Sequence, residues 1–272
     1  MSALFEARGV SIDYGGVHAN RDVKLSVAPG KLVGLIGPNG AGKTSFIDAA
    51  SGFTQPSAGT VWFDGRDITR LSAHKRNALG MCRTFQAVEL FDDLTVLENL
   101  LVAAEPHAWW TPAADLFRPR RHSTARDTAL EALESVGLAE MVDWMPSQLS
   151  HGQRKLVGVA RSLSARPKMI LFDEPAAGLD TEESEELGKT LRGLAENGLA
   201  ILLIDHDMGL VLNVCDEIYV LDFGRVIGYG TPEEIKSDST VIAAYLGGEA
   251  EAPRDGEKPW PVGAGKESNG DQ

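Results

Sequence analysis

The stretch Gly37-Pro38-Asn39-Gly40-Ala41-Gly42-Lys43-Thr44 sets three glycines, a lysine and a hydroxyl within eight positions. Phosphate oxygens concentrate negative charge in a small volume. A loop that grips them must bring several backbone N–H groups close, an approach that side chains would block. Glycines at 37, 40 and 42 remove the obstruction. Lys43 then reaches the β- and γ-phosphates of a nucleoside triphosphate, and the Thr44 hydroxyl suits Mg²⁺. Two later clusters supply the rest of such chemistry. Asp173-Glu174 pairs a carboxylate for Mg²⁺, directly or through water, with Glu174 as a base that orients and activates water. In Asp205-His206-Asp207, the imidazole of His206 suits a γ-phosphate contact.

These groups need a scaffold, and the flanking residues describe one. The apolar run Leu32-Val33-Gly34-Leu35-Ile36 precedes the glycine loop and the helix-compatible Ser45-Phe46-Ile47-Asp48-Ala49-Ala50 follows it. This order is strand, phosphate loop, helix, with the helix dipole aimed at the same phosphates. Lys168 to Phe172 reads as a buried strand delivering Asp173 and Glu174 at its carboxyl end, where open α/β sheets bind ligands. Leu199 to Ile204 delivers His206 to that edge in the same way. Leu149-Ser150-His151-Gly152-Gln153 heads an amphipathic run (Leu156, Val159, Ala160, Leu163), so Ser150 is a candidate N-cap and its helix a second N-terminus able to receive an anion. Serine caps are common structural features, and the pentapeptide alone is a weak signal.

Composition bounds the rest. A chain of 272 residues, 43% of them hydrophobic, can bury a large core as one elaborated domain or a core plus a subdomain. No apolar run approaches the roughly 20 residues that cross a bilayer, so any membrane role is expected to come through a partner. The net charge of −13 argues against nucleic acid as a partner. Cys82 and Cys215 show no metal or redox spacing and the N-terminus has no secretory layout, which together suggest a reducing cytoplasm.

In chain order, residues 4 to 30 alternate apolar and polar positions through Val10, Ile12, Val23, Leu25 and Val27, suggesting two short strands around Asp13-Tyr14-Gly15-Gly16. Tyr14 is either a strand-end core aromatic or a face for stacking on a purine. Thr60 to Gly65 adds a strand and turn, and the three strands are expected to form a small antiparallel sheet. Met81 to Gln86 reads as a strand, and Thr95-Val96-Leu97-Glu98 has the form of a capping box. A helix is expected over about 125–136, stopping at Gly137. Between them, residues 105–122 are rich in tryptophan, arginine and proline and form a loop, either packed on its own domain or touching a partner or anionic headgroups. Thr181 to Ala195 reads as an acidic-faced helix. A hairpin, Ile218–Asp222 with Val226–Tyr229, and two short helices at 232–235 and 241–246 follow. The acidic stretch 247–272 reads as a disordered tail.

Taken together, Gly37–Thr44, Gln86, Leu149–Gln153, Asp173-Glu174, Asp180 and His206 stand in the order and approximate spacing of an ABC-transporter ATPase subunit, which residues 4 to 246 resemble. Gly-Pro-Asn-Gly-Ala-Gly-Lys-Thr, Arg83-Thr84-Phe85-Gln86, Glu174 to Leu179, Asp205 to Met208 and Val241 to Gly247 are similar to the ATP-binding subunit of branched-chain amino acid importers.

The resemblance implies an α/β fold, a phosphate-loop RecA/F1-like core with an antiparallel β subdomain and a helical subdomain inserted at about 87–160, all within residues 1–246. It implies ATP and Mg²⁺ as cofactors and a head-to-tail ATPase pair, homodimer or heterodimer. In that scheme Tyr14 stacks on adenine, and Gly37, Pro38, Asn39, Gly40, Ala41, Gly42, Lys43, Thr44 and Ser45 hold the nucleotide. Thr44, Gln86 and Asp173 serve the metal, and Gln86 also senses the attacking water. Ser150, Gly152 and Gln153 close on the γ-phosphate from the other subunit, Asp180 communicates between sites, and Glu174, His206 and Lys43 carry catalysis. The groove at roughly Phe85 to Leu94 would receive a helix from a membrane permease, placing the subunit peripherally on the cytoplasmic face, with an extracytoplasmic solute-binding protein as an indirect partner. His151 stands where many members carry glycine, and Ser45 where a second threonine is common. Importers of urea or other small solutes share much of this pattern. A non-transport ABC protein would ordinarily add a second cassette, a coiled coil or zinc-binding cysteines, and a silent module would be expected to have lost Glu174 or His206.

Overall fold

Runs such as Met169–Asp173 and Ala200–Ile204, apolar at nearly every position, can lie only where both faces of a sheet are covered. The computed structural model describes residues 3–84, 90–104 and 122–247. Along the chain lie β1 (Phe5–Tyr14), β2 (Val17–Val27), β3 (Leu32–Ile36), α1 (Lys43–Ser51), β4 (Ala58–Phe63), β5 (Arg66–Asp67), α2 (Ala73–Ala78), β6 (Met81–Arg83), α3 (Val96–Ala104), α4 (His122–Ser135), α5 (His151–Leu163), β7 (Met169–Asp173), α6 (Thr181–Glu196), β8 (Ala200–Ile204), α7 (Met208–Val214), β9 (Glu217–Asp222), β10 (Arg225–Gly230), α8 (Pro232–Ser237) and α9 (Ser239–Gly247). The central sheet runs β10-β9-β3-β8-β7-β6, parallel except for β10, and a second sheet runs β2-β1-β4-β5, antiparallel throughout. The expected α/β core with an antiparallel β sheet beside it is therefore present.

Alternation along the central strands divides the interior in two. Val33, Leu35, Met169, Leu171, Leu202 and Ile204 face α1 and the antiparallel sheet, joining Phe46, Ile47, Phe5 and Phe63. Leu32, Ile36, Ile170, Phe172, Ile201 and Leu203 face the opposite layer, where Leu97, Leu100, Leu133, Leu156, Leu187 and Val211 come from α3 to α7. Burying each such side chain contributes about 1.5–3 kcal/mol. The phosphate-loop helix is thus clamped between two sheets.

A buried cation finishes that helix. Arg76 is 1% exposed and donates to Ala49 O and Ala50 O, both at 2.7 Å, and to Leu71 O and Thr69 O, both at 3.0 Å. It meets two carbonyls of the last turn of α1, of which Ala49 O also accepts from the C-cap Gly52 N–H at 3.3 Å. Burial pushes its pKa down to about 10, so it stays protonated at neutral pH.

Local signals explain the remaining edges. β1 and β2 are longer than the two short strands expected, because the alternation is interrupted by register shifts between Ala7, Val10 and Ile12, with Gly9 at φ +65°. The Thr95 capping box forms, with Thr95 N–H donating to Glu98 Oε2 at 2.8 Å and Glu98 N–H to Thr95 Oγ1 at 3.3 Å. Buried Asn99 pins the preceding turn through Phe91 N–H, Phe91 O, Leu94 O and Thr95 O. α4 ends before Gly137, which adopts φ +75°. The strand expected to reach Gln86 ends at Arg83, beyond which Thr84 N–H still donates to Leu171 O at 3.0 Å. Gln86, most of the tryptophan- and arginine-rich loop at 105–122, and all but the first residue of the stretch 247–272 lie outside the described residues.

A candidate nucleotide site at the strand ends

Neighbouring parallel strands β3, β8 and β7 end on one edge, and each delivers part of the site. From β3 the chain enters the glycine loop. The glycines there have separate causes. A Cβ on Gly37 (φ +154°) would lie 2.0 Å from Leu221 O, and one on Gly42 (φ +99°) 2.3 Å from Ala19 O, so both are demanded by the protein's own backbone. A Cβ on Gly40 would meet nothing within 4 Å. Of the three glycines, Gly40, at φ +81°, is the one required by its backbone conformation rather than by a close neighbour.

Gly42 is the N-cap of α1 and provides no side-chain cap. The first-turn N–H groups are therefore left for another acceptor. Lys43 is buried and curls over the loop, its Nζ donating to Gly37 O at 2.6 Å and Pro38 O at 3.1 Å. Burial holds its pKa below the usual lysine range, partly opposed by Glu174, Asp173 and Asp205. Thr44 and Asn39 are exposed, and Pro38 and Ser45 half-buried. Tyr14 lies at the tip of the β1–β2 hairpin with 46% of its surface exposed. The same β2 strand brings Asn20, fully buried, to donate to Gly42 O at 3.2 Å.

β7 ends in Asp173, and Glu174 follows in the left-handed region at φ +49°, unusual for a non-glycine residue. It is held there by its N–H donating to Ile204 O at 2.7 Å. β8 ends beside it. His206 Nδ1 lies 3.7 Å from Glu174 Oε2 and 3.6 Å from Asp205 Oδ1, and its ring is half exposed. Lys43, Asp173, Glu174 and His206 are thus brought to one edge.

Two further residues hold this edge together. Arg83, at the end of β6, donates to Asp173 Oδ2 at 2.8 Å, to Asp48 Oδ1 at 2.5 Å and to Ser51 Oγ at 3.2 Å. It ties the strand-end carboxylate to α1. Asp205 is fully buried and accepts from Ala176 N–H at 3.2 Å and Asp207 N–H at 3.0 Å, fastening the loop after Glu174 to the end of β8. Burial raises its pKa. A charged residue ending a short buried strand, and a carboxylate directly after an apolar one, were the available signals.

Ser150, Gly152, Gln153 and Asp180 form a second group. Ser150 is the N-cap of α5, accepting from Gln153 N–H, while Gln153 Oε1 accepts from Ser150 N–H at 2.9 Å. Asp180 caps α6, accepting from Glu183 N–H at 2.8 Å. The ring of His151 sits over Gly178, where a Cβ would be 3.2 Å from Nε2.

A parallel sheet that offers a glycine loop, an uncapped helix N-terminus, a lysine and strand-end carboxylates defines a phosphate-loop nucleotide-binding protein. Residues 20–177 match the ABC transporter family, and residues 225–251 match the family described as branched-chain amino acid ATP-binding cassette transporter. Over 249 residues the chain is 39% identical to BraF of Pseudomonas aeruginosa and 38% identical to LivG of Escherichia coli K12, both high-affinity branched-chain amino acid transport ATP-binding proteins; 90% of this chain and 98% of each relative are covered. It is 35% identical over 245 residues, with the same coverage, to the lipopolysaccharide export system ATP-binding protein LptB of Escherichia coli K12. Among solved structures, the ADP conformation of the ATP-binding cassette MJ1267 superposes with TM-score 0.79 at 32% identity, covering 91% of this chain and 100% of that one. The dimeric bacterial cassette MJ0796 superposes with TM-score 0.67 at 26% identity, covering 84% and 98%. The chain belongs to the ABC transporter family, as an ATP-binding subunit with ATPase activity.

Proposed function

We propose that this ATPase powers an importer of branched-chain or other hydrophobic amino acids. The observation that carries the activity is the convergence of Lys43, Glu174 and His206 on one sheet edge in front of an uncapped helix N-terminus. The match over residues 225–251 and the identity to BraF and LivG support the substrate class.

In this reading ATP lies with its triphosphate on Gly37–Ser45 and its adenine on Tyr14. Glu174 orients and deprotonates the water that attacks the γ-phosphate in line, and Lys43 and His206 absorb charge as it develops. The donor set fits Mg²⁺: the Thr44 hydroxyl and Asp173 carboxylate are hard oxygen ligands of the kind that ion combines with phosphate oxygens. When bound there it would neutralise phosphate charge. Gln86 is proposed to serve the same site. Ser150, Gly152 and Gln153 act on nucleotide held by a second ATPase subunit in a head-to-tail pair, identical or related, and Asp180 links the two sites. A single subunit covers one side of the triphosphate, so closure can be coupled to hydrolysis.

Among the described residues no helix is long and apolar enough to cross a membrane. Membrane attachment at the cytoplasmic face is proposed to come through permease subunits, served by an extracytoplasmic solute-binding protein. Phe91, 51% exposed and fixed at its backbone by Asn99, offers an apolar contact on the docking face. A charge at Phe91 should leave ATP hydrolysis intact and abolish uptake; normal uptake would remove that assignment.

The deciding test is uptake of labelled leucine, isoleucine, valine, other amino acids and urea in cells lacking the protein, restored with wild type or Glu174→Gln. Leucine-type uptake rescued by wild type alone is expected. The variant's turnover should fall about 10²–10⁴-fold. Unchanged uptake across the panel would overturn the substrate class and leave the ATPase chemistry standing.

A further inference from the structure

The donors that Ser150 and Gly152 could offer a phosphate are already engaged within the chain. Gly152 N–H donates to Glu183 Oε1 at 2.9 Å, and Ser150 Oγ donates to the same oxygen at 3.3 Å. The direction of the serine proton follows from its other bond: Oγ accepts from Gln153 N–H at 3.2 Å, and an ionised carboxylate only accepts. The Glu183 side chain lies against Gly152, where a Cβ would stand 2.9 Å from Oε1 and 3.0 Å from Cδ and Cγ.

The position of Glu183 within α6 sharpens the point. It occupies the third helical position after the N-cap, the slot from which Gln153 in α5 and Glu234 in α8 reach back to their own caps. Asp180 receives the Glu183 N–H, which is half of such a box. The Glu183 carboxylate instead crosses to α5 and takes an anion's place at another helix's N-terminus.

We propose that Glu183 is an internal placeholder for the γ-phosphate, holding Ser150 and Gly152 while the subunits are apart and displaced when ATP on the opposing subunit docks. This rests on the head-to-tail pair described above. One carboxylate and one phosphate cannot both use the same two donors, and their like charges repel. Closure therefore exchanges one anion for another. ADP has no γ-phosphate to keep Glu183 out, so the carboxylate returns after hydrolysis and favours separation. The seat of the exchange lies directly after Asp180, in the same α6 turn.

The test is ATP-driven association of the purified full chain in a Glu174→Gln background, followed by sedimentation, with Glu183 intact or replaced. Glu183→Ala should lower the half-saturating ATP concentration about three- to tenfold, the scale of one or two exchanged hydrogen bonds. Glu183→Gln, which keeps an acceptor oxygen without the charge, should fall between and serves if the alanine variant folds poorly. Binding of a fluorescent ATP analogue to the lone subunit should not change. A half-saturating concentration that is unchanged or raised, or no association of any of the proteins, overturns the placeholder. Ser150→Ala separates it from the pair reading: if that variant still associates normally, the pair reading fails and the placeholder falls with it. If Ser150→Ala abolishes association while Glu183→Ala changes nothing, the pair stands and the placeholder alone falls.

Discussion

Two helices present their N-termini to phosphate in this reading, and they are built in opposite ways. α1 begins at Gly42 with no side-chain cap, behind a loop whose Gly37 and Gly42 leave no room for a Cβ beside Leu221 O and Ala19 O. α5 begins at Ser150 with a complete capping box and a further carboxylate from α6 on Gly152. One terminus is open, and the other is already satisfied within the chain. In the proposed function the first would hold nucleotide and the second would grip and release it, and the difference is written in where the glycines' neighbours come from.

The sharpest way to break that contrast is to load each glycine with a methyl group. Gly42→Ala drives a Cβ to 2.3 Å from a backbone oxygen at φ +99°, and should destabilise the fold by about 4 kcal/mol or more in urea unfolding. Next in size is Lys43→Ala, expected to weaken binding of an ATP analogue about ten- to hundredfold in a fluorescence titration. The same lysine predicts a pH effect. Its folded pKa lies below the ordinary 10.5, so the burial penalty, complete below the folded value, is relieved as pH rises from there towards 10.5. Stability should therefore gain over that interval while affinity for triphosphate declines. Ser150→Ala removes a cap and should cost about 1 kcal/mol of stability, read in the same unfolding assay. Gly152→Ala meets only the movable end of Glu183 and should cost less than about 1 kcal/mol. Equal losses for Gly42→Ala and Gly152→Ala would erase the distinction between the two termini.

The sequence revealed what is encoded locally. The phosphate loop, the strand-end Asp173-Glu174 and the caps at Ser150 and Thr95 are patterns of a few adjacent residues, and apolar runs announced the central sheet as alternation announced the antiparallel one. What it could not reveal was who meets whom. Arg83 binds Asp48 and Asp173, which lie 35 and 90 positions away. Glu183 belonged to what read as an acidic-faced helix, yet its carboxylate sits on another helix. The phosphate-loop glycines were expected for access to phosphate, but at Gly37 and Gly42 the contact that forbids a side chain is made by Leu221 and Ala19, from strands that local sequence does not connect to the loop.

Arg76 gives the open terminus a further property. A helix carries partial charges of opposite sign at its two ends, and the negative end ordinarily offsets some of the attraction that the positive end exerts on an anion. Here the negative end of α1 is met by a guanidinium that burial leaves protonated at neutral pH. The helix therefore works less as a dipole than as a single positive pole facing the glycine loop, and its field on an incoming triphosphate should extend further than nine residues of backbone would provide alone.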